Sequence, residues 1–248
     1  MSVIGELQRV REGSHYRAFS LCGLKSAMAP FVNVDHVWIC GPAGPVCQHT
    51  NAPYVSYLFP DSETGLRIRE VSGVERVVRP GGISWTTSGQ HALAEQAPLE
   101  PGKTVHAVHV GVSLTSVRDR MATAPCQLAP EDIPADLPPG GIVRVLAGAH
   151  GATRSSLELA AEITMLDIAL NDMAEVSIPV PPDHCAMLLP VSGTMIVDGQ
   201  SFDPAELQLP ILPAREEPYA ACVGARHGAA QVMLLMGCPS PRIRRFAG

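Results

Sequence analysis

The sequence predicts an all-β protein built as two β-rich barrel or sandwich domains in tandem, with few and short helices. Three observations predict it. Glycine and proline number 22 and 23 in 248 residues. They break the chain about every 8–12 residues, the rhythm of strands joined by turns. Between the breaks lie short β-branched or apolar runs, and a Pro-rich stretch separates two similar halves.

The runs of the first half are Phe31–Val34, Tyr54–Phe59, Leu66–Val71, Val74–Val78 and Val105–Leu114. Those of the second are Ile142–Leu146, Val176–Val180, Ala186–Val191, Thr194–Val197, Leu207–Leu212 and Gln231–Met236. Asp198-Gly199 is a tight-turn signal, because both residue types tolerate positive φ. Leu114–Ala122 is a short polar helix candidate. Ser155–Leu170 is ambiguous. Ser155 and Glu158 have capping-box spacing, and propensity favours a helix there. Met165–Leu170 also alternates as a strand does. Residues 126–139 are Pro-rich without apolar periodicity and read as a linker. The expected division is 1–125 and 140–248.

Composition narrows the function. The net charge is −6, with 46% hydrophobic and 17% charged residues. That is too apolar for a disordered chain and too acidic for a binder driven by phosphate contacts. Arg242, Arg244 and Arg245 read as a solvated end. No run approaches the ~20 apolar residues of a membrane helix, and residues 1–16 carry no signal-peptide core. The seven cysteines are scattered and never spaced as CxxC, which fits a reduced, cytoplasmic protein. No membrane and no direct nucleic-acid partner are expected.

Three blocks carry a resemblance. They are Pro30-Phe31-Val32-Asn33-Val34-Asp35-His36, Pro80-Gly81-Gly82-Ile83-Ser84-Trp85-Thr86-Thr87-Ser88-Gly89, and Val105 to Leu114 with His106 and His109. In order and spacing they resemble the pirin family, which are two-domain cupins. The second half agrees more loosely, through Arg144-Val145-Leu146-Ala147-Gly148 and the Ser192-Gly193 to Gly199 hairpin. The resemblance implies two cupin-type jelly-roll β-barrels, and it favours strand from about Thr164. It also implies an iron site, made by a His-Pro-His triplet and a His-Ser-Glu triplet on neighbouring strands. Residues i and i+2 of a strand share a face, so two such pairs can converge on one ion.

At those positions this chain has Cys47-Gln48-His49 and Ala94-Glu95-Gln96. The first ligand becomes Cys47, the second stays His49, the third becomes Ala94 and the fourth Gln96. Alanine cannot bind a metal, and a neutral amide binds one weakly. Glu95 has the wrong parity, and His91 would need a bulge to turn inward. Cys47 and His49 are two ligands where a stable site needs three or four. No metal is expected there; any metal would rest on His49 and Cys47, with His91 or Glu95 recruited. Iron-dependent oxygenation of flavonols such as quercetin, which the resemblance implies, would then need Fe(II) or another divalent metal in a remodelled site. The other reading is a regulatory protein binding a small molecule or a protein, with a pocket lined by Cys47, His49, Ala94, Gln96 and His109.

Simpler roles are expected elsewhere. Trp85 fills a barrel interior. Asp35 and His36 form a structural pair. His106 is structural and faces away from His109, three residues on. His184-Cys185 lies in a loop at a strand start.

Overall fold

The computed structural model describes residues 2–12, 14–21, 29–43, 53–86, 93–113, 126–157, 159 and 162–238. The fold is all-β, as expected: four larger antiparallel sheets form two jelly rolls of the cupin type. In the first, a seven-stranded sheet runs in the order Cys126–Leu128, Ile83–Thr86, Tyr54–Leu58, Val105–Val112, Phe31–Ile39, Tyr16–Leu21, Gln8–Glu12. A three-stranded sheet of Glu75–Val78, Leu66–Glu70 and Leu93–Pro98 faces it. In the second, the seven strands are Val3–Glu6, Gln208–Leu212, Cys185–Ser192, Ala230–Gly237, Ile163–Leu170, Gly141–Ala147 and Ala135–Asp136. Its facing sheet is Glu175–Val180, Tyr219–Ala225, Met195–Val197 and Gln200–Phe202.

Three apolar clusters follow from this layering. One fills the interior of the first jelly roll, with Ala18, Val37, Leu58, Ala107, Leu66 and Ile68. A second fills the interior of the other, with Ile168, Leu188, Phe202 and Val223. The largest lies between the two seven-stranded sheets and joins Tyr57, Trp85 and Val108 to Met165, Met187 and Leu235. Each central strand is therefore covered on both faces. That is why Val105–Val112 and Cys185–Ser192 are buried at almost every position instead of alternating. The outer strand Glu175–Val180 alternates exposed and buried, as a half-buried strand should.

One polar network crosses the seam between the halves. The Tyr57 hydroxyl donates to Asp167 Oδ2 at 2.7 Å. Arg144 Nη1 donates to the same oxygen at 3.2 Å, and Gln231 Nε2 donates to Oδ1 at 2.8 Å.

Several expectations need revision or placement. Within the ambiguous stretch Ser155–Leu170, Ile163–Leu170 is a strand paired on both sides, as the resemblance favours from about Thr164. Two neighbours and burial on both faces outweigh local propensity here. Ser155 does not cap a helix; its hydroxyl donates to the Leu146 carbonyl and accepts from the Leu157 amide. Leu114–Ala122 lies outside the described residues. The segment 126–139 holds two strands and a 3-10 turn: Cys126–Leu128 joins the first sheet, and Ala135–Asp136 joins the second. Val3–Glu6 pairs with Gln208–Ile211, so the chain starts in the second jelly roll before it enters the first. Asp198 (φ 49°) and Gly199 (φ 80°) make the expected hairpin turn between Met195–Val197 and Gln200–Phe202.

Candidate functional site

The interior of the first jelly roll changes character along its length. Directly paired residues on neighbouring strands share a face of the sheet. Ser84 pairs with Ser56, Ser56 with His109, His109 with Asp35, and Asp35 with Ser20. One polar row thus crosses five strands. Two residues further along each strand, Thr86, Tyr54, Gly111 and Asn33 form a second row on the same face. In the opposite direction the same face carries Leu58, Ala107, Val37 and Ala18, the apolar cluster that packs on Leu66 and Ile68. On the facing sheet, Gln96 pairs with Ile68, and Ile68 with Arg76. One end of this interior is dry, and the other is lined with polar side chains.

These side chains are deeply buried. Ser56, Ser84 and His109 are 0% exposed, and Thr86, Asp35 and Gln96 are 1% exposed. Some are engaged. Asn33 Nδ2 donates to Asp35 Oδ2 at 2.8 Å. Its side chain lies across Gly111, where a Cβ would stand 2.2 Å from Asn33 Oδ1, so only glycine leaves it room. Arg76 is paired with the buried Glu70. Others have no hydrogen-bond partner among the described residues: Ser56 Oγ, Ser84 Oγ, Thr86 Oγ1, Gln96 Oε1 and both ring nitrogens of His109. His109 has its ring edge-on to Tyr54, 4.9 Å between centroids. Burial pushes its pKa down to about 3, so at neutral pH the imidazole is uncharged and offers one donor and one acceptor.

The strand Leu93–Pro98 carries the positions singled out in the sequence. Gln96 is buried beside Ile68, while Glu95 is turned away and reaches Arg69 Nη2 at 2.6 Å. Ala94 is partly exposed. Ala43 pairs with Gln96 through two backbone hydrogen bonds, 2.8 and 2.9 Å. Cys47, His49 and His91 lie outside the described residues. Among the described residues no group of three or more His, Cys, Asp or Glu side chains converges as metal ligands would. Of the four positions at which the pirin resemblance implies ligands, the two described here hold Ala94, which has no donor atom, and Gln96, a buried neutral amide.

Two expectations about packing are corrected. Trp85 is wholly buried, but between the two large sheets rather than inside the first jelly roll. Asp35 and His36 do not pair, because adjacent strand residues point to opposite faces. Asp35 meets Asn33, and His36 meets His106, Nε2 to Nε2 at 2.7 Å. His106 Nδ1 is 2.8 Å from Asp61 Oδ1. A carboxylate only accepts, so His106 donates from Nδ1 and accepts from His36 at Nε2. His184 Nδ1 lies 2.8 Å from the Pro182 carbonyl in an exposed turn. Sequence reading missed Ser56, Ser84 and Thr86. Their signal was there, as hydroxyl residues at every second place of Tyr54–Leu58 and Ile83–Thr86, but in one strand that pattern reads as a solvated face.

Two facing-sheet jelly rolls in tandem, the first with one polar end to its interior, define a bicupin. No family model matches the chain. Its sequence is 24% identical over 168 residues to a pirin-like protein of Arabidopsis thaliana, covering 66% of this chain and 53% of that one. It is 26% identical over 170 residues to pirin of Mus musculus, covering 68% and 57%. The fold matches the crystal structure of quercetin 2,3-dioxygenase from Acinetobacter baumannii with a TM-score of 0.79, at 18% identity over 96% of this chain and 88% of that one. The chain is thus similar in sequence to pirin and pirin-like proteins, and it shares its fold with a quercetin 2,3-dioxygenase. It spans little more than half the length of the curated relatives it matches.

Proposed function

We propose that the protein is a small-ligand-binding pirin-like bicupin with a regulatory role, whose ligand occupies the polar end of the first jelly roll without the family's iron centre. The observation that carries this is the set of unpartnered polar atoms on Ser56, Ser84, Thr86, Gln96 and His109. Leaving a buried polar group unsatisfied costs about 1–3 kcal/mol each. Several such groups on one face indicate an occupant that supplies their hydrogen bonds. Of the charged groups nearby, Arg76 pairs with Glu70 through Nη2 and Asp35 with Asn33, while Arg76 Nε finds no partner among the described residues. Apart from that guanidinium nitrogen, whose charge Glu70 balances, what is left over is neutral: hydroxyls, an amide oxygen and an imidazole. That chemistry suits an uncharged, hydroxylated molecule.

The metal-free half of the reading rests on residue identity. Alanine stands at the third ligand position and glutamine at the fourth. The one carboxylate of the triplet, Glu95, is committed to Arg69. Iron-dependent dioxygenation of a quercetin-like flavonol in a remodelled site is the alternative.

Two measurements test this. Elemental analysis, before and after anaerobic Fe(II) loading and desalting, is expected to find almost no iron; close to one iron per chain would overturn the metal-free reading. Quercetin, an uncharged polyphenol, is the first binding probe. The double change Ser56→Ala with Thr86→Val is expected to weaken quercetin binding about tenfold, or ~1.4 kcal/mol. It is also expected to leave stability unchanged or raise it by about 1 kcal/mol, because it removes orphaned hydroxyls. A loss above about 2 kcal/mol would mean that the hydroxyls serve the fold rather than a ligand.

A further inference from the structure

The opposite face of the same sheet carries a second arrangement. Arg17 pairs with Trp38, and Trp38 with His106, so these three side chains stand in a row on the outer face. The Arg17 guanidinium carbon lies 4.4 Å from the centre of the Trp38 ring. Trp38 stacks on His106 at 5.1 Å and 9°. The stack is fixed from below by Asp61 and His36, which hold the His106 ring at both nitrogens. Beside it opens a cleft of about 360 Å³, lined by Ser14, His15, Arg17, Trp38, Cys40 and Thr104.

The charges around this cleft are unevenly used. Asp61 is taken by His106, and Glu63 accepts from the Thr104 amide at 2.7 Å. Arg17 forms no ion pair among the described residues; only the Trp38 ring engages it. A guanidinium held in one place by an aromatic ring has lost part of the entropy that binding would otherwise cost, and its fork matches a carboxylate. The volume is at the lower end of the range for small-molecule sites. The half-buried Trp38 supplies an apolar wall, and Ser14 and Thr104 supply hydroxyls.

We propose that this outer cleft is a second binding site, for a small organic anion with a carboxylate head and a compact apolar body, and that Arg17 is the residue that grips the carboxylate. It is independent of the polar chamber, which lies on the other face of the sheet.

The test is isothermal titration of the full chain with benzoate, benzyl alcohol and inorganic phosphate. Tryptophan emission is followed in parallel, because Trp38 borders the cleft while Trp85 is wholly buried. Benzoate is expected to bind saturably and to change the emission. Benzyl alcohol, which lacks the charge, and phosphate, which lacks the apolar body, are each expected to bind at least about tenfold more weakly. Arg17→Gln is expected to reduce benzoate affinity by a similar factor, with an unchanged urea midpoint because the side chain is exposed. Equal binding of benzoate to Arg17→Gln, equal binding of benzyl alcohol or phosphate, or no saturable benzoate binding would each overturn the proposal.

Discussion

Asp167→Ala is expected to lower the free energy of unfolding by about 3–5 kcal/mol, the cost of breaking a buried, hydrogen-bonded charge. Asp167 is 0% exposed, and its carboxylate takes hydrogen bonds from Tyr57, Arg144 and Gln231. Alanine would strand a wholly buried phenol, an amide and a guanidinium that is itself mostly covered. Burial and the neighbouring carboxylate hold the Tyr57 pKa well above its ordinary value, so the phenol stays a donor throughout the accessible pH range. Tyr57→Phe removes one of the three donors and is expected to cost about 1–2 kcal/mol. Because the two residues share one bond, the double variant should lose less than the sum of the single ones. Urea unfolding of the four proteins at pH 7 checks this. Strict additivity, or an Asp167→Ala loss below about 1 kcal/mol, would show that the network does not couple the halves.

The second large effect is on pH dependence. Burial lowers the pKa of His109 to about 3. It does the same for His36, where the neighbouring His106 and Arg17 add to the effect of burial. In the unfolded chain both titrate near 6.5. The folded values are depressed, so the unfolded state binds more protons over the window between. Stability is complete above about pH 6.5 and falls as the pH drops toward 3, with a limiting slope of about 2.7 kcal/mol per pH unit for two histidines. Between pH 7 and pH 5 the expected loss is about 4 kcal/mol. His109→Gln should remove about half of that loss, because it deletes one of the two groups. Urea midpoints at the two pH values give the answer; an unchanged difference in the variant would mean that His109 is not buried in its neutral form.

Much of this architecture could be read from the sequence. Gly and Pro spacing marked the strands, and the Asp198-Gly199 turn and the blocks around Asp35, Trp85 and His109 pointed to a bicupin. Strand parity also turned Glu95 away from Gln96 and His106 away from His109. What could not be read was pairing between distant strands. Ser56 and Ser84 are far apart in sequence, yet they sit side by side once Tyr54–Leu58 pairs with Ile83–Thr86. Trp85 was placed on the wrong face for the same reason. A strand covered on both sides offers no solvent face to anchor the parity. Local pattern left the stretch after Ser155 open between helix and strand because the partners that make Ile163–Leu170 a strand come from residues 141–147 and 230–237.

The strand Val3–Glu6 is paired with a strand far along the sequence. Its partner strand follows it by roughly 200 residues, a very long loop to close. During synthesis Val3–Glu6 stays without this partner until Gln208–Leu212 has been made. A fragment that began after it would present Gln208–Leu212 as an open edge, with unsatisfied amides and carbonyls. The cheapest way to fill that edge is the same strand from another copy. The fold thus carries the topology for exchange between molecules, held in check only because each chain's own strand is tethered nearby and reaches the edge first.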